Sequence, residues 1–332
     1  MNRTLATRRS MMLVARMIGL VVILVIDRAR PGTTEAGRQA RTQARVQKWA
    51  RDTAQLIGMR IRIDGEIPEG PVAIVSNHLS YMDIVALWCL VPGVFVARAD
   101  VADWPLIGIA GRLIDTIFIE RSRKRDLLRV IPEMQAALAS GRNIIFFPEG
   151  TSTRGDRILP FKSSLFEAAA REAVPVVACS LQFETAPPAP SADWSICWWG
   201  DMEFTPHVFA LLQLPGFEAR VRFSEPFKVA PPRSTNSWPG VTKNVSHDVE
   251  VYEKSAQLPM EKTGNEGTRR ESARSHPLEI PLATLKMKDR KELCRLAYEA
   301  VVKKFDPTPP LVQPLAPPAG PKSAALGTDR PR

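Results

Sequence analysis

His78 and Asp83 stand five residues apart in the segment Asn77-His78-Leu79-Ser80-Tyr81-Met82-Asp83. An imidazole beside a carboxylate can take a proton from a hydroxyl. The carboxylate holds one ring nitrogen and leaves the other free as the base. On one continuous helix the two side chains would point about 140° apart. They meet only if His78 lies in a loop and the helix starts near Ser80. Ser80 suits an N-cap, and Asp83 then falls at the third helical position, where a carboxylate caps backbone N–H groups. The segment reads either as a capped loop or as a His–Asp dyad.

A second polar segment follows about 70 residues later, Phe146-Phe147-Pro148-Glu149-Gly150-Thr151-Ser152-Thr153-Arg154-Gly155. Glycines let backbone N–H groups approach an anion, hydroxyls add donors, and an arginine grips phosphate through two bonds. The same residues also make an ordinary polar turn. No Walker lysine follows the glycines and no GxGxxG occurs here, which disfavours a nucleotide loop. The four cysteines, Cys89, Cys179, Cys197 and Cys294, lie far apart, with no CxxC pair and no histidine cluster. That spacing argues against a zinc site and a disulfide scaffold, and fits a reducing compartment.

Both segments need a scaffold. From Ile61 onward the chain alternates short β-rich runs with helical ones. The expected strands are Ile61–Ile63, Val72–Ser76, Val94–Ala97, Thr116–Ile119, Asn143–Phe147, Val174–Leu181, Ser195–Trp199 and Ala219–Phe223. The expected helices are Tyr81–Leu90, Arg123–Ala139 and Lys162–Glu172. This is an α/β pattern, a mostly parallel mixed sheet flanked by helices. Both polar segments follow a strand directly, and sites in such sheets gather at the carboxyl ends of strands. Composition agrees: of 332 residues, 45% are hydrophobic and 24% charged. That balance excludes a polytopic membrane protein and a largely disordered chain.

The net charge of +10 sits entirely in residues 1–62, and the rest of the chain is neutral. Within that stretch Met11–Ile26 is apolar except for Arg16, too short a run to cross a bilayer core. Arg41–Gly58 places Val46, Trp49, Ala50, Thr53, Leu56 and Ile57 near one helical face, with Arg41, Arg45 and Lys48 elsewhere. Cationic helices of this kind lie in the membrane interface, and buried core helices show the same pattern. Nucleic acid is disfavoured, because the basic residues bracket an apolar run instead of interleaving with aromatics. The expected organisation is a membrane-associating helical arm (1–60), a catalytic domain (61–229), a flexible insertion (230–285), a C-terminal helix (286–306) and a disordered tail (307–332).

Taken together, NHLSYMD and FPEGTSTRG resemble the glycerolipid O-acyltransferase family, whose archetype is 1-acylglycerol-3-phosphate acyltransferase. Two further blocks are similar to that family: Arg98–Gly108 with Gly111–Arg121, and Ala173–Val177. The resemblance spans roughly residues 45–228, with 289–305 like the usual last helix. It implies that His78 and Asp83 form the catalytic dyad. It also implies that Arg121, Glu149, Gly150 and Thr151 handle the acceptor. The sequence departs at Ser152, where the family commonly has arginine, so Arg154 or Lys162 must substitute or the acceptor differs.

The activity implied is acyl transfer from acyl-CoA or acyl carrier protein to the hydroxyl of lysophosphatidate. The alternative acceptor is another lysolipid, such as lyso-ornithine lipid. The resemblance implies neither metal nor cofactor, and places the enzyme at an anionic membrane surface, on the cytoplasmic face of the inner membrane. His207 reads as structural. Trp194, Trp198 and Trp199 read equally as a core edge or as the lining of an acyl path.

Overall fold

The computed structural model describes residues 2–228, 278–279 and 289–305. It opens with two antiparallel-packed helices, α1 (Arg3–Ala29) and α2 (Glu35–Ile57). Gly58 ends α2 in the left-handed region at φ 76°, its N–H returning to Ala54 and Gln55. A Cβ there would lie 2.8 Å from the Pro215 carbonyl, so the turn into β1 (Met59–Asp64) needs glycine.

The body then alternates β2 (Ala73–Ser76), α3 (Met82–Leu90), β3 (Val94–Arg98), α4 (Ile107–Leu113), β4 (Ile117–Ile119), α5 (Leu127–Ala139), β5 (Ile144–Phe146) and α6 (Phe166–Arg171). It continues through β6 (Val176–Glu184), the short α7 (Ala192–Ser195), α8 (Phe204–Leu211), β7 (Phe217–Phe223) and β8 (Phe227–Lys228). Strand β9 (Leu278–Glu279) and helix α9 (Asp289–Lys304) complete the described elements.

The sheet order is β1-β7-β6-β2-β5-β3-β4, with β8 joining β6 and β9. Every pairing is parallel except β6 with β7 and β6 with β8. This is the expected mixed, mostly parallel sheet between helices. The sequence of the central strands explains their place: β2 and β5 are continuous apolar runs, buried throughout, as strands covered on both faces must be. Strand β7 alternates buried and half-buried residues, as a strand nearer the edge does.

Three sequence expectations change. Ser195–Trp199 is not a strand: Ser195 closes α7, and the residues after it run as a loop. Helix α3 begins at Met82, with Tyr81 at the cap position and its side chain not capping the helix, so Ser80 is not the N-cap. The apolar run 11–26 belongs to a 27-residue helix with a mean hydropathy of 2.2 over its best 18 residues. That helix is long and apolar enough to cross a membrane by length and composition.

The first 60 residues also do not stand apart as an arm. Val46, Ala50, Ala54 and Ile57 of α2 are buried against the body. Arg9 donates to the carbonyls of Leu212 (3.1 Å) and Leu214 (2.6 Å), and Arg16 turns inward to the Asp52 carbonyl. What α1 leaves bare is a stripe of Met11, Val14, Ile18, Val22 and Val25, spaced three and four residues apart, with Ile26 beside its end. The expected tail 307–332 and nearly all of the expected insertion 230–285 lie outside the described residues. Within that insertion, Leu278–Glu279 pairs with β8.

Candidate active site

Parallel pairing brings the carboxyl ends of β2, β5, β3 and β4 to one rim of the sheet. Val75 lies beside Phe146 and Arg98 beside Ile119. The loops that leave this rim carry His78, Glu149, Arg98 and Arg121, so the strand order itself gathers residues distant in sequence.

Asn77 anchors the first loop. Its amide exchanges two bonds with Leu181 of β6, at 2.9 and 2.7 Å, and fixes where the chain leaves the sheet. Asp83, in the first turn of α3, turns back over the loop. Its Oδ2 accepts the N–H groups of Leu79 (2.7 Å) and Ser80 (3.0 Å) and lies 2.7 Å from His78 Nδ1. Capping and dyad are therefore one arrangement: the carboxylate that ties the loop also holds the imidazole. Since that oxygen only accepts, Nδ1 carries the proton and Nε2 is left as the base. Asp83 is fully buried, while the His78 side chain is 19% exposed and stacks on Phe147 at 4.2 Å.

Glu149 braces the same loop from β5. Its Oε1 accepts the His78 N–H and its Oε2 the Leu159 N–H, both at 2.7 Å. Burial pushes its carboxyl up to about 7, and the charge of Asp83 adds to the rise, against the two backbone bonds. Thr153 N–H closes the clamp by donating to the His78 carbonyl at 2.9 Å. Glu149 thus touches backbone with both oxygens, a positioning role.

His78 opens on a cavity of about 490 Å³, lined mainly by apolar side chains of α1, α2, α3 and α4. Thr151, Ser152, Arg98, Asp100 and Arg121 supply its polar side, and Tyr81, Trp104, Trp198 and Phe204 an aromatic side. Arg121 donates to the carbonyl of Gly150. Gly150 has φ 79°, and a Cβ there would meet Lys162 Nζ at 2.6 Å, so glycine is what lets the lysine lie against this turn. The Lys162 N–H donates to the Pro148 carbonyl at 2.9 Å.

Arg154 is placed elsewhere. Its guanidinium pairs with the buried Asp193 at 2.9 Å, beside the rings of Trp194 and Trp199, and it does not line the cavity. Ser152 likewise faces the loop after α7, its hydroxyl donating to the Trp198 carbonyl. Positions 152 and 154 thus fasten the segment 193–199, while Arg121 and Lys162 stay at the turn of Gly150. Burial pushes the thiols of Cys89 and Cys179 up to about 11 and about 12, which disfavours them as nucleophiles at neutral pH.

Sequence reasoning put His78, Asp83, Glu149, Gly150, Thr151, Arg121 and Lys162 at one rim, and the structure brings them there. It gave no role to Arg98 or Asn77, and of the cavity's aromatic side it offered only Trp198, as one of two readings. Asn77 precedes His78 directly, which marked it as part of the loop, but its partner Leu181 is 104 residues away.

The sequence profile of the family described as Acyltransferase matches residues 59–182. Lyso-ornithine lipid O-acyltransferase from Brucella abortus (strain 2308) is 36% identical over 187 residues, 53% of this chain and 70% of that protein. 1-Acyl-sn-glycerol-3-phosphate acyltransferase from Neisseria gonorrhoeae is 34% identical over 128 residues, 38% of this chain and 50% of that protein. The crystal structure of the 1-acyl-sn-glycerophosphate acyltransferase PlsC from Thermotoga maritima superposes with a TM-score of 0.48 at 18% identity, over 67% of this chain and 87% of that one. By its matched profile, its relatives and the order of its motifs, the chain belongs to the acyltransferase family.

Proposed function

We propose that the chain transfers a fatty acyl group from an acyl thioester to the free hydroxyl of a lysolipid, with His78 as general base. The observation that carries this reading is the 2.7 Å contact between His78 Nδ1 and Asp83 at the wall of an apolar cavity. Nε2 takes the proton of the acceptor hydroxyl, and the oxygen attacks the thioester carbonyl carbon. A C–O bond forms, the C–S bond breaks, and the leaving thiolate takes the proton back from the imidazolium. Asp83 steadies the cation in between. The donor is acyl-CoA or acyl carrier protein, and the chemistry needs neither metal nor cofactor.

An aminolipid acceptor of the lyso-ornithine kind fits best. Arg154 is committed to Asp193, and Ser152 stands where a phosphate-gripping arginine is common. The relative from Brucella abortus bears that substrate in its name. Arg121 at the cavity wall favours lysophosphatidate as the second reading. Thiol release by the purified protein, with acyl-CoA or acyl carrier protein against a panel of lysolipids, tests both. Turnover of lyso-ornithine lipid well above lysophosphatidate supports the first reading, and the reverse order the second.

The bare stripe of α1 and the cations around it fit attachment to an anionic membrane on its cytoplasmic face. There the cavity, lined in part by Leu13, Val14, Met17 and Leu20 of α1, lies beside the layer that holds the lysolipid.

A further inference from the structure

We propose that the cavity's aromatic side is a headgroup site that recognises the acceptor as a zwitterion, and this rests on the aminolipid reading above. The ammonium lies on the rings of Trp104, Trp198 and Phe204, and the carboxylate turns to Arg98 and Arg121.

Phe204 is the centre of this wall. Its centroid is 4.7 Å from that of Trp104, 5.1 Å from Tyr81 and 5.9 Å from Trp198. The rings meet at 58–76°, tilted or edge-on and not stacked. The polar ends of Trp198 and Tyr81 are engaged within the protein. Trp198 Nε1 donates to the Met202 carbonyl at 2.7 Å, its backbone N–H to Leu79 at 2.8 Å, and Tyr81 Oη lies 2.9 Å from His207 Nδ1. Burial holds His207 towards its neutral form, so this pair adds no cation to the wall. Trp198 therefore has no donor left to offer a phosphate. Ring faces attract ammonium groups through their quadrupole.

At the rim, Arg98 Nε and Asp100 Oδ1 pair at 2.8 Å, both side chains about half exposed. The ligand's carboxylate exchanges with that of Asp100 on Arg98, while its ammonium lies on the rings. A lysolipid whose headgroup is an amino acid, acylated through one of two amines, carries those two charges. A phosphomonoester carries only negative charge.

The test compares lyso-ornithine lipid with the same lipid acetylated on its free amine, which keeps hydroxyl, chain and carboxylate. For the wild type, acetylation should raise the acceptor KM by about three- to thirty-fold, the range of a partly desolvated cation–π contact. Phe204→Leu keeps apolar bulk but removes the central ring, and should narrow that difference to about two-fold or less. Phe204→Tyr should restore it, and Trp104→Leu repeats the test should the first variant fold poorly. Equal KM values for both lipids in an active wild type, or full discrimination by Phe204→Leu and Trp104→Leu, overturns the headgroup site and leaves the aminolipid reading standing. A wild type that acylates lysophosphatidate but not lyso-ornithine lipid overturns the aminolipid reading, and the headgroup site falls with it.

Discussion

Glu149 holds His78 by its backbone and not by its ring: Oε1 accepts the His78 N–H at 2.7 Å. A base whose carboxylate neighbour lies 71 residues away in sequence is thereby fixed to the strand beside it. Its carboxyl titrates at about 7, well above an ordinary glutamate, because it is buried. The folded state therefore binds more protons than the unfolded chain between about pH 4.3 and 7. This group's contribution to stability is complete below the unfolded value and is lost as pH rises through about 7. Glu149→Gln should flatten that part of the stability curve. Melting temperatures of both proteins from pH 4.5 to 8 check it, and parallel curves would contradict it.

Asp83 has two tasks, and substitutions separate them. Asp83→Asn keeps an oxygen for the Leu79 and Ser80 N–H groups but loses the charge that steadies the imidazolium. Activity should fall by about 10²–10⁴-fold, with a modest change in melting temperature. Asp83→Ala removes both, leaves two buried N–H groups unpaired, and should destabilise the fold by about 1–3 kcal/mol for each. Steady-state rates beside thermal unfolding read the two effects apart.

Arg154→Ala should act on stability and not on phosphate binding. It strands the buried carboxylate of Asp193, whose side chain is 5% exposed, at a cost of about 3–5 kcal/mol. The double change Arg154→Leu with Asp193→Leu should recover part of that loss. Chemical denaturation of the three proteins decides it, and a stable Arg154→Ala protein with a raised lysophosphatidate KM would return the arginine to the acceptor site.

The stripe on α1 makes a separate prediction. Val22 is 51% exposed on it. Val22→Asp should weaken sedimentation with anionic vesicles by about one to two orders of magnitude, from the lost apolar burial and the added negative charge. Thermal stability in detergent should hardly move. Unchanged vesicle binding would place the attachment elsewhere.

Strand and helix positions were legible because local rules govern them. Val72–Ser76 and Asn143–Phe147 are apolar runs that only a covered strand accommodates, and His78 and Glu149 follow them directly. What sequence could not show depends on partners far along the chain. Arg154 looked free for a phosphate because Asp193, 39 residues on, was not visible as its partner. Ser195–Trp199 has the composition of a strand, yet the Trp198 N–H goes to Leu79 and the indoles of Trp198 and Trp199 to local carbonyls, which hold it as a loop. The length of α1 was misjudged because charged residues at both ends hid the helix beyond the apolar run.

The central claim is that His78 Nε2 removes the acceptor proton. It is tested most directly by thiol release from acyl-CoA with lyso-ornithine lipid as acceptor, wild type against His78→Ala at matched folded concentration. Among the described residues the His78 side chain stacks on Phe147 and bonds only to Asp83, so the variant should fold. Its turnover should fall by about 10²–10⁴-fold. A folded His78→Ala protein with near wild-type turnover would contradict the account.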